Sequence, residues 1–332
     1  MEIDVRVERL PLRAPVRITG YTFIEVPVIV VELREGEHVG RGEAAGIYYR
    51  AESPQRMIAQ IDAIRPVLSA GADRSMLAHL LLPGGARNAL DCAFWDLEAK
   101  RTGKPAWQLA GLQAPVPKIT TYTLGADDPD AMAQLARTYP QARALKLKLT
   151  GEPIDAERVR AVRAVRPDVW LGVDANQGFG MDSLRQVMPA FIAADVRLIE
   201  QPVPPALDDG LPGLQSPIPI AADESVLCLA DLPRCVGRFD AINIKLDKCG
   251  GLTEALAMAR VAKVLGFKVM VGNMGGSSLA MAPGFLLAQL CDLVDLDGPL
   301  VLANDRSPGV SYEDGHISCP ESLWGNPVVT RA

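Results

Sequence analysis

The stretch ALKLKLTGEPIDAERVRAVRAVRPDVWLGVDANQG, residues 144–178, decides the architecture. Two apolar runs, ALKLKL and VWLGVDA, each carry charge toward their ends, and the amphipathic DAERVRAVRAVR lies between them. In the first run Lys146 and Lys148 stand at i and i+2, so a strand sends both to one face and Leu145 and Leu147 to the other. Strand, helix and strand within about 30 residues form the unit from which parallel sheets are built.

Outward from this stretch the unit repeats. Charged residues end successive apolar runs at Lys148, Asp174, Glu200, Asp223 and Lys245, at spacings of 26, 26, 23 and 22 residues. Each gap fits one strand, one helix and two short loops. KITTYTL, ALKLKL, VWLGVDA, VRLIEQP, IPIAADE, AINIKLD, KVMVGN and LVDLDGP give eight strand candidates, and eight parallel strands close into a barrel. The C-terminal ends of such strands share one face, so charges remote in sequence converge there. The stretch QPVPPALDDGLPGLQSPIPI, residues 201–220, has the Pro and Gly content of a linker, yet the charged rungs continue past it in register. It reads as a strand-to-strand connection with a short helix.

Before the barrel, residues 1 to about 45 read as strands: Ile3, Val5 and Val7 alternate, and Val28 to Leu33 form a run ending at the Glu35-Gly36 turn. From Ser53 to about Leu112 the period lengthens to that of a helix, with Leu90, Ala93, Phe94 and Leu97 on one face before Gly103 and Pro105. The reading is an α/β protein with an α+β domain over 1–112 and a barrel over 113–311. A C-terminal segment, 312–332, is expected to pack back on the first domain.

The 332 residues, 48% hydrophobic and 22% charged, describe a globular chain. No apolar run reaches the roughly 18 residues of a membrane span, and MEIDVRVERL lacks the basic-then-apolar order of a secretory signal, so a cytoplasmic location is expected. A net charge of −6 without a basic cluster leaves no footprint for nucleic acid or an anionic membrane. Six cysteines without CxxC or CxH spacing predict reduced thiols, no disulfide and no zinc. A small-molecule partner fits best.

Asp174, Glu200 and Asp223 each close a different strand, in GVDANQG, LIEQP and AADES. One such residue needs no explanation beyond the preference of acidic groups for helix starts. Three on successive strands, with lysines on the strands to either side, point to Mg²⁺, which takes hard oxygen ligands. Lys245 lies four strands after Lys148 and approaches from the other side of the pore. Two bases facing each other across a metal suit removal of a proton from one face of a carbon acid and its return to the other. Cationic neighbours and desolvation are expected to lower lysine pKa values from about 10.4 into a working range.

The motifs KLKLTG, VDANQG, IEQP, ADES, INIKLDKCGG and DLDGP, together with ALDCAFWDLEAKRTGKPAWQL, resemble the muconate-lactonising branch of the enolase superfamily over nearly the whole chain. Within that branch they are most similar to the dipeptide epimerases. The resemblance implies a (β/α)7β modified TIM barrel with an N-terminal α+β cap, and Mg²⁺ held by Asp174, Glu200 and Asp223. It makes Lys148 and Lys245 the acid/base pair in a 1,1-proton transfer through an enediolate. Lys146 would help neutralise the substrate carboxylate and lower the pKa of Lys148. Asp295 and Asp297 match the DxD pair that holds a dipeptide's α-ammonium, and two carboxylates at i and i+2 suit a cation on physical grounds too. Thr123 matches a substrate-contacting threonine, and a homo-oligomer is implied.

Departures bear on the substrate. Ala-Glu epimerases carry an Arg in the mobile loop of the cap, where PVRITGYTFIEV offers Tyr21, with Arg17 and Arg50 as alternative cations. GNMGGSSLAMAP after the seventh strand also lacks a charged residue. A small or neutral dipeptide is favoured over Ala-Glu. His38, His79 and His316 all lie outside the barrel strands, which argues against the branch that uses a His-Asp dyad. Rival readings are muconate cycloisomerase, N-acylamino acid racemase or a related lyase or dehydratase, a Schiff-base aldolase, and a non-catalytic metal-dependent binding protein.

Overall fold

The computed structural model describes residues 1–327, so the final five residues of the expected C-terminal segment lie outside the described residues. The chain opens with an antiparallel sheet of three strands, β1 (Glu2–Ile18), β2 (Tyr21–Glu35) and β3 (His38–Ala44), in the order β1-β2-β3. Val7 is exposed, and Val28 and Val30 turn toward the molecule's main core, so Ile3, Val5, Ile29, Val31 and Leu33 supply the face that the helices bury. The turn at Glu35-Gly36 holds, with Gly36 at φ +59°. The helix Pro54–Ser69 and the long helix Gly85–Thr102 cover that face. The long helix stops where the sequence predicts, with Gly103 at φ +66° as a left-handed cap. Being buried along most of its length, it must satisfy its polar residues. Asp96 accepts from Arg41 N, Gly325 N and Lys100, each at 2.8 Å.

The second body is an eight-stranded parallel sheet curled into a nearly closed barrel. Its strands run β5 (Thr121–Leu124), β6 (Ala144–Lys148), β7 (Trp170–Asp174), β8 (Val196–Glu200), β9 (Ile220–Ala222), β10 (Ala241–Lys245), β11 (Lys268–Gly272) and β12 (Leu293–Val294), in unbroken order. All eight fall on sequence candidates. The first is shorter than KITTYTL predicts: Lys118–Ile119 forms β4, which leaves the barrel to pair with β14 (His316–Ser318), itself paired with β13 (Ser311–Glu313). Thr120 makes the break, its N–H donating to Gly315 O and its hydroxyl accepting from Leu296 N at 3.0 Å.

Between the strands run the helices Pro129–Arg137, Asp155–Val165, Met181–Ala193, Leu252–Val264 and Ser278–Leu287. The Pro-rich connection after β8 forms two 3₁₀ turns, Pro205–Gly210 and Pro212–Leu214, rather than an α-helix. Its prolines lack the N–H donors an α-helix needs. The C-terminal residues return to the cap, where the Trp324 indole N–H donates to Arg41 O and Cys92 O.

Period-2 alternation divides the barrel. Outward residues such as Leu145, Leu147, Leu171 and Val173 join the main hydrophobic core beneath the helices. Inward residues form layers: a floor of Leu198, Ala221, Ala241 and Met270, with Trp170 and Leu293 against it, and above it the charged rungs. The apolar floor excludes water from below, so the charges face only the cavity above.

Candidate active site

In β6 Lys146 and Lys148 point inward, and parallel register sets Lys148 beside Asp174 and Asp174 beside Glu200. Asp223 follows β9, whose Ala221 is the register partner of Glu200. The three carboxylates are fully buried and offer oxygens within 4.8 Å of one another. An all-oxygen set of this kind fits a hard divalent cation.

The lysines contact this cluster from two sides. Lys148 Nζ donates to Asp174 at 2.5 Å and to Asn176 Oδ1 at 3.2 Å. Across the barrel, Lys245 Nζ donates to Asp223 at 2.7 Å and lies 3.9 Å from Glu200. Lys146 Nζ binds Asp295 and lies 3.4 Å from Glu200 and 3.6 Å from Asp174. Gly272, the register partner of Lys245, leaves room for that side chain: a Cβ there would come within 2.7 Å of Asn243 Oδ1 and 3.1 Å of Lys245 Cε.

Electrostatics follow from the contacts. Burial pushes Glu200 up to about 8, aided by Asp174 and Asp223 and opposed by Lys146 and Lys245. Burial also works against ionisation of Asp174 and Asp223, but the neighbouring lysines outweigh it and hold both below the ordinary carboxylate range. Burial disfavours the charge of Lys146 and Lys245, and the carboxylates reverse that, raising both lysines. The lowered lysine pKa expected from sequence is thus not found at these two positions. The carboxylates in direct contact outweigh both desolvation and the neighbouring ammonium groups.

Asp295 and Asp297 stand at the seam between β12 and β5. Asp295 accepts from the Thr121 hydroxyl at 2.5 Å, and Asp297 accepts from Thr123 N at 2.6 Å. Asn273 Nδ2 donates to Asp295 O at 2.8 Å. Side chains therefore bridge a gap that the strands leave open. Burial, then Asp295, raises the Asp297 carboxyl. Thr123 lines the cavity, and its backbone N–H meets Asp297.

The cavity above these groups has a volume of about 670 Å³ and is roofed by the capping sheet. Tyr21 does not line it. Tyr21 is exposed at the β1–β2 turn, where its ring stacks on Phe23 (6.0 Å, 10°) and meets Tyr48 edge-on (4.8 Å). Phe23 and Tyr48 form the lining instead. A shift of two residues along a strand keeps the same face, so Tyr21 and Phe23 share a face and Phe23 is the one that borders the cavity. Arg17 pairs with Asp127 at 3.7 Å outside the cavity, and Arg50 is exposed and also outside it.

Several groups were missed. Lys248, fully buried, donates to Asp223 Oδ1 (2.5 Å), Asp223 O (2.6 Å) and Asn243 O (3.0 Å). Asn243 in turn donates to Glu200 at 2.7 Å. Both sit inside the motif INIKLDKCGG, where a second lysine three residues after the first was the available signal. Asp247 of the same motif accepts from Gly46 N at 2.9 Å and ties the cap's 45–53 loop to β10.

An eight-stranded parallel barrel with this carboxylate set, under an antiparallel α+β cap, is the architecture of the enolase superfamily, and the chain belongs to it. Residues 1–111 match the N-terminal domain of mandelate racemase / muconate lactonizing enzyme, and residues 130–323 match the enolase C-terminal domain-like family. Among individual relatives, the L-Ala-D/L-Glu epimerase of Escherichia coli (strain K12) is 39% identical, over 95% of this chain and 98% of its own. An N-acetyl-D-glutamate racemase from Pseudoalteromonas is 40% identical over 90% and 95%. An Agrobacterium tumefaciens enolase family member, described as homologous to dipeptide epimerases and solved with sodium and L-Ala-L-Glu, superposes with a TM-score of 0.94 at 41% identity, covering 97% and 99%. A Methylococcus capsulatus dipeptide epimerase, solved with Mg and L-Arg-D-Lys, gives 0.87 at 30% identity over 98% of each chain.

Proposed function

We propose that the protein is a Mg²⁺-dependent dipeptide epimerase, an isomerase that inverts the Cα of the C-terminal residue of a dipeptide with neutral side chains. One observation carries the reading. Lys148 and Lys245 approach a buried three-carboxylate cluster from opposite sides, with the Asp295/Asp297 pair in the same cavity. The comparisons support it, since related chains that bind dipeptides or act on them match from end to end.

Asp174, Glu200 and Asp223 would hold Mg²⁺. The chemistry a bound Mg²⁺ supplies is neutralisation of charge on the substrate carboxylate. Asp295 and Asp297 anchor the substrate ammonium, which fixes the peptide's direction across the barrel. One lysine, neutral, takes the Cα proton, and the electron pair of the broken C–H bond moves into the carboxyl group as an enediolate. The other lysine, an ammonium, gives a proton to the opposite face. The two lysines exchange protonation states and no atom is gained or lost. Lys146, bound to Asp295 and near Glu200, adds positive charge beside the carboxylate.

We extend the proposal to a capping domain over 1–112, a barrel over 113–311 and a closing segment from 312, and to a homo-oligomer in the cytoplasm without nucleic-acid or membrane partners. The Trp324 contacts support the closing role. Among the described residues no helix is long and apolar enough to cross a membrane, and the six cysteines are free. A second reading, racemisation of an N-acylamino acid, is favoured by the Pseudoalteromonas relative. Exchange of Cα hydrogen in deuterated water separates the two. Label entering free-amine dipeptides, and a large KM increase in Asp297→Asn, support epimerisation. Label entering only N-acylated amino acids would replace it with the second reading.

A further inference from the structure

Both ends of the proposed substrate can be placed in the cavity, and each then meets a different wall. With the ammonium at Asp295 and Asp297, the first residue's side chain lies over β12. There Leu12, Val26 and Val301 face the cavity. This wall is fixed in place. Leu12 bridges to Leu302, Ala303 N donates to Pro11 O at 2.8 Å, and the Val26 methyls sit 3.2–3.3 Å from where a Cβ on Gly275 would be. With Cα between Lys148 and Lys245, the second residue's side chain rises toward Ile18, Phe23 and Tyr48. Thr19 holds this end of the hairpin over the same strands, its hydroxyl reaching Leu149 O at 3.0 Å and Ala175 O at 2.7 Å. Those two residues directly follow Lys148 and Asp174.

Both walls are apolar, and at the rim Ile24 is 69% exposed, an aliphatic side chain that a bound substrate would cover. Among the described residues, the only cations lining the cavity are the three barrel lysines. The carboxylates on the cap's side are Glu25 and Glu52. Glu52 is occupied by Ile47 N and Gly85 N, and Glu25 is paired with Arg9. A distal carboxylate on the substrate would lose water and find no partner there, whereas an apolar side chain gains from burial.

We propose that the substrates are dipeptides with large apolar side chains at both positions, aromatic residues being preferred at the second, and that Phe23 determines this choice. The proposal rests on the epimerase reading and, of the small or neutral dipeptides expected from sequence, keeps the neutral side chains and makes them large. It also separates this chain from relatives named for glutamate at comparable identity.

The test is deuterium incorporation at Cα with Mg²⁺-loaded protein and three dipeptides: L-Leu-L-Phe, L-Ala-L-Ala and L-Ala-L-Glu. The expected kcat/KM for L-Leu-L-Phe exceeds each of the others by about 10-fold or more, the scale on which apolar pockets discriminate. Phe23→Arg should reduce that ratio by at least about 10-fold, mainly through KM. Ile24→Lys, at the exposed rim, should shift it in the same direction without touching the core. Fastest exchange with L-Ala-L-Glu, or a ratio unmoved by both variants, overturns the apolar assignment and leaves the epimerase reading standing. No exchange with any dipeptide overturns both.

Discussion

Replacing Asp247 by asparagine should make the protein more stable relative to the parent as pH rises. Asp247 is buried, and burial pushes its carboxyl up to about 7, opposed by the hydrogen bond from Gly46 N. Unfolded, it titrates near 3.9. Because the folded value is the higher one, the folded state binds more protons between about pH 4 and 7, so its stability falls as pH rises through that window. At about 1.36 kcal/mol per pKa unit, the difference in proton binding lowers stability, relative to acid pH, by about 1.5 kcal/mol at pH 5 and roughly 4 kcal/mol at pH 8. Asparagine keeps an oxygen for Gly46 N and does not titrate. The stability gap between Asp247→Asn and the parent should therefore move by about 2–3 kcal/mol in favour of the variant from pH 5 to pH 8. Urea unfolding of both proteins at four pH values in this range, at fixed Mg²⁺, measures it. Subtracting one protein from the other cancels the shared titration of Glu200, Glu224 and Asp91. A gap that stays constant, or moves in the parent's favour, refutes the argument that a buried, destabilised carboxylate holds the cap's loop to β10.

Three further outcomes are expected. Lys148→Met and Lys245→Met should each lose epimerisation by about 10²–10⁴-fold, and each should still exchange the Cα hydrogen of one epimer, the opposite one in the two variants. Stereospecific NMR of both reactions checks this, and loss of the same epimer in both would sink the two-base assignment. Saturating Mg²⁺ at 100 times Kd should stabilise the fold by about 2.7 kcal/mol, and Glu200→Gln should remove most of that gain in a thermal melt. Gly275→Ala should cost about 1–3 kcal/mol, since its φ of +88° is strained for alanine and the added methyl meets Val26 at 3.2 Å. Chemical denaturation would reveal the loss.

The barrel was legible because its physics is local. Each strand alternates with period 2, each helix is amphipathic, and every charged rung ends an apolar run. The convergence of the carboxylates and lysines followed from that register, while the resemblance to the dipeptide epimerases singled out Lys148 and Lys245 as the acid/base pair. Lys248 and Asn243 escaped because a lysine one turn past a strand reads as solvated surface, and only the fold shows it buried against Asp223. Phe23 and Tyr48 escaped for a different reason. They come from the β1–β2 turn and the loop after β3, and their meeting over β6 and β10 depends on how the cap sits on the barrel. The split of KITTYTL at Thr120 was also beyond reach, because β14, which draws β4 away, lies nearly 200 residues on.

The Thr19 hydroxyl is a small tie between the cap's hairpin and the ends of β6 and β7. Every group assigned to proton transfer belongs to the barrel, while on the proposed reading the hairpin faces the side chain of the second residue. Under the proposal, selectivity for the second residue and the chemistry thus reside on separable parts. The segment from Val16 to Val26 could be transplanted between relatives as a cassette, keeping Thr19 as the joint, to redirect the enzyme without disturbing the machinery below.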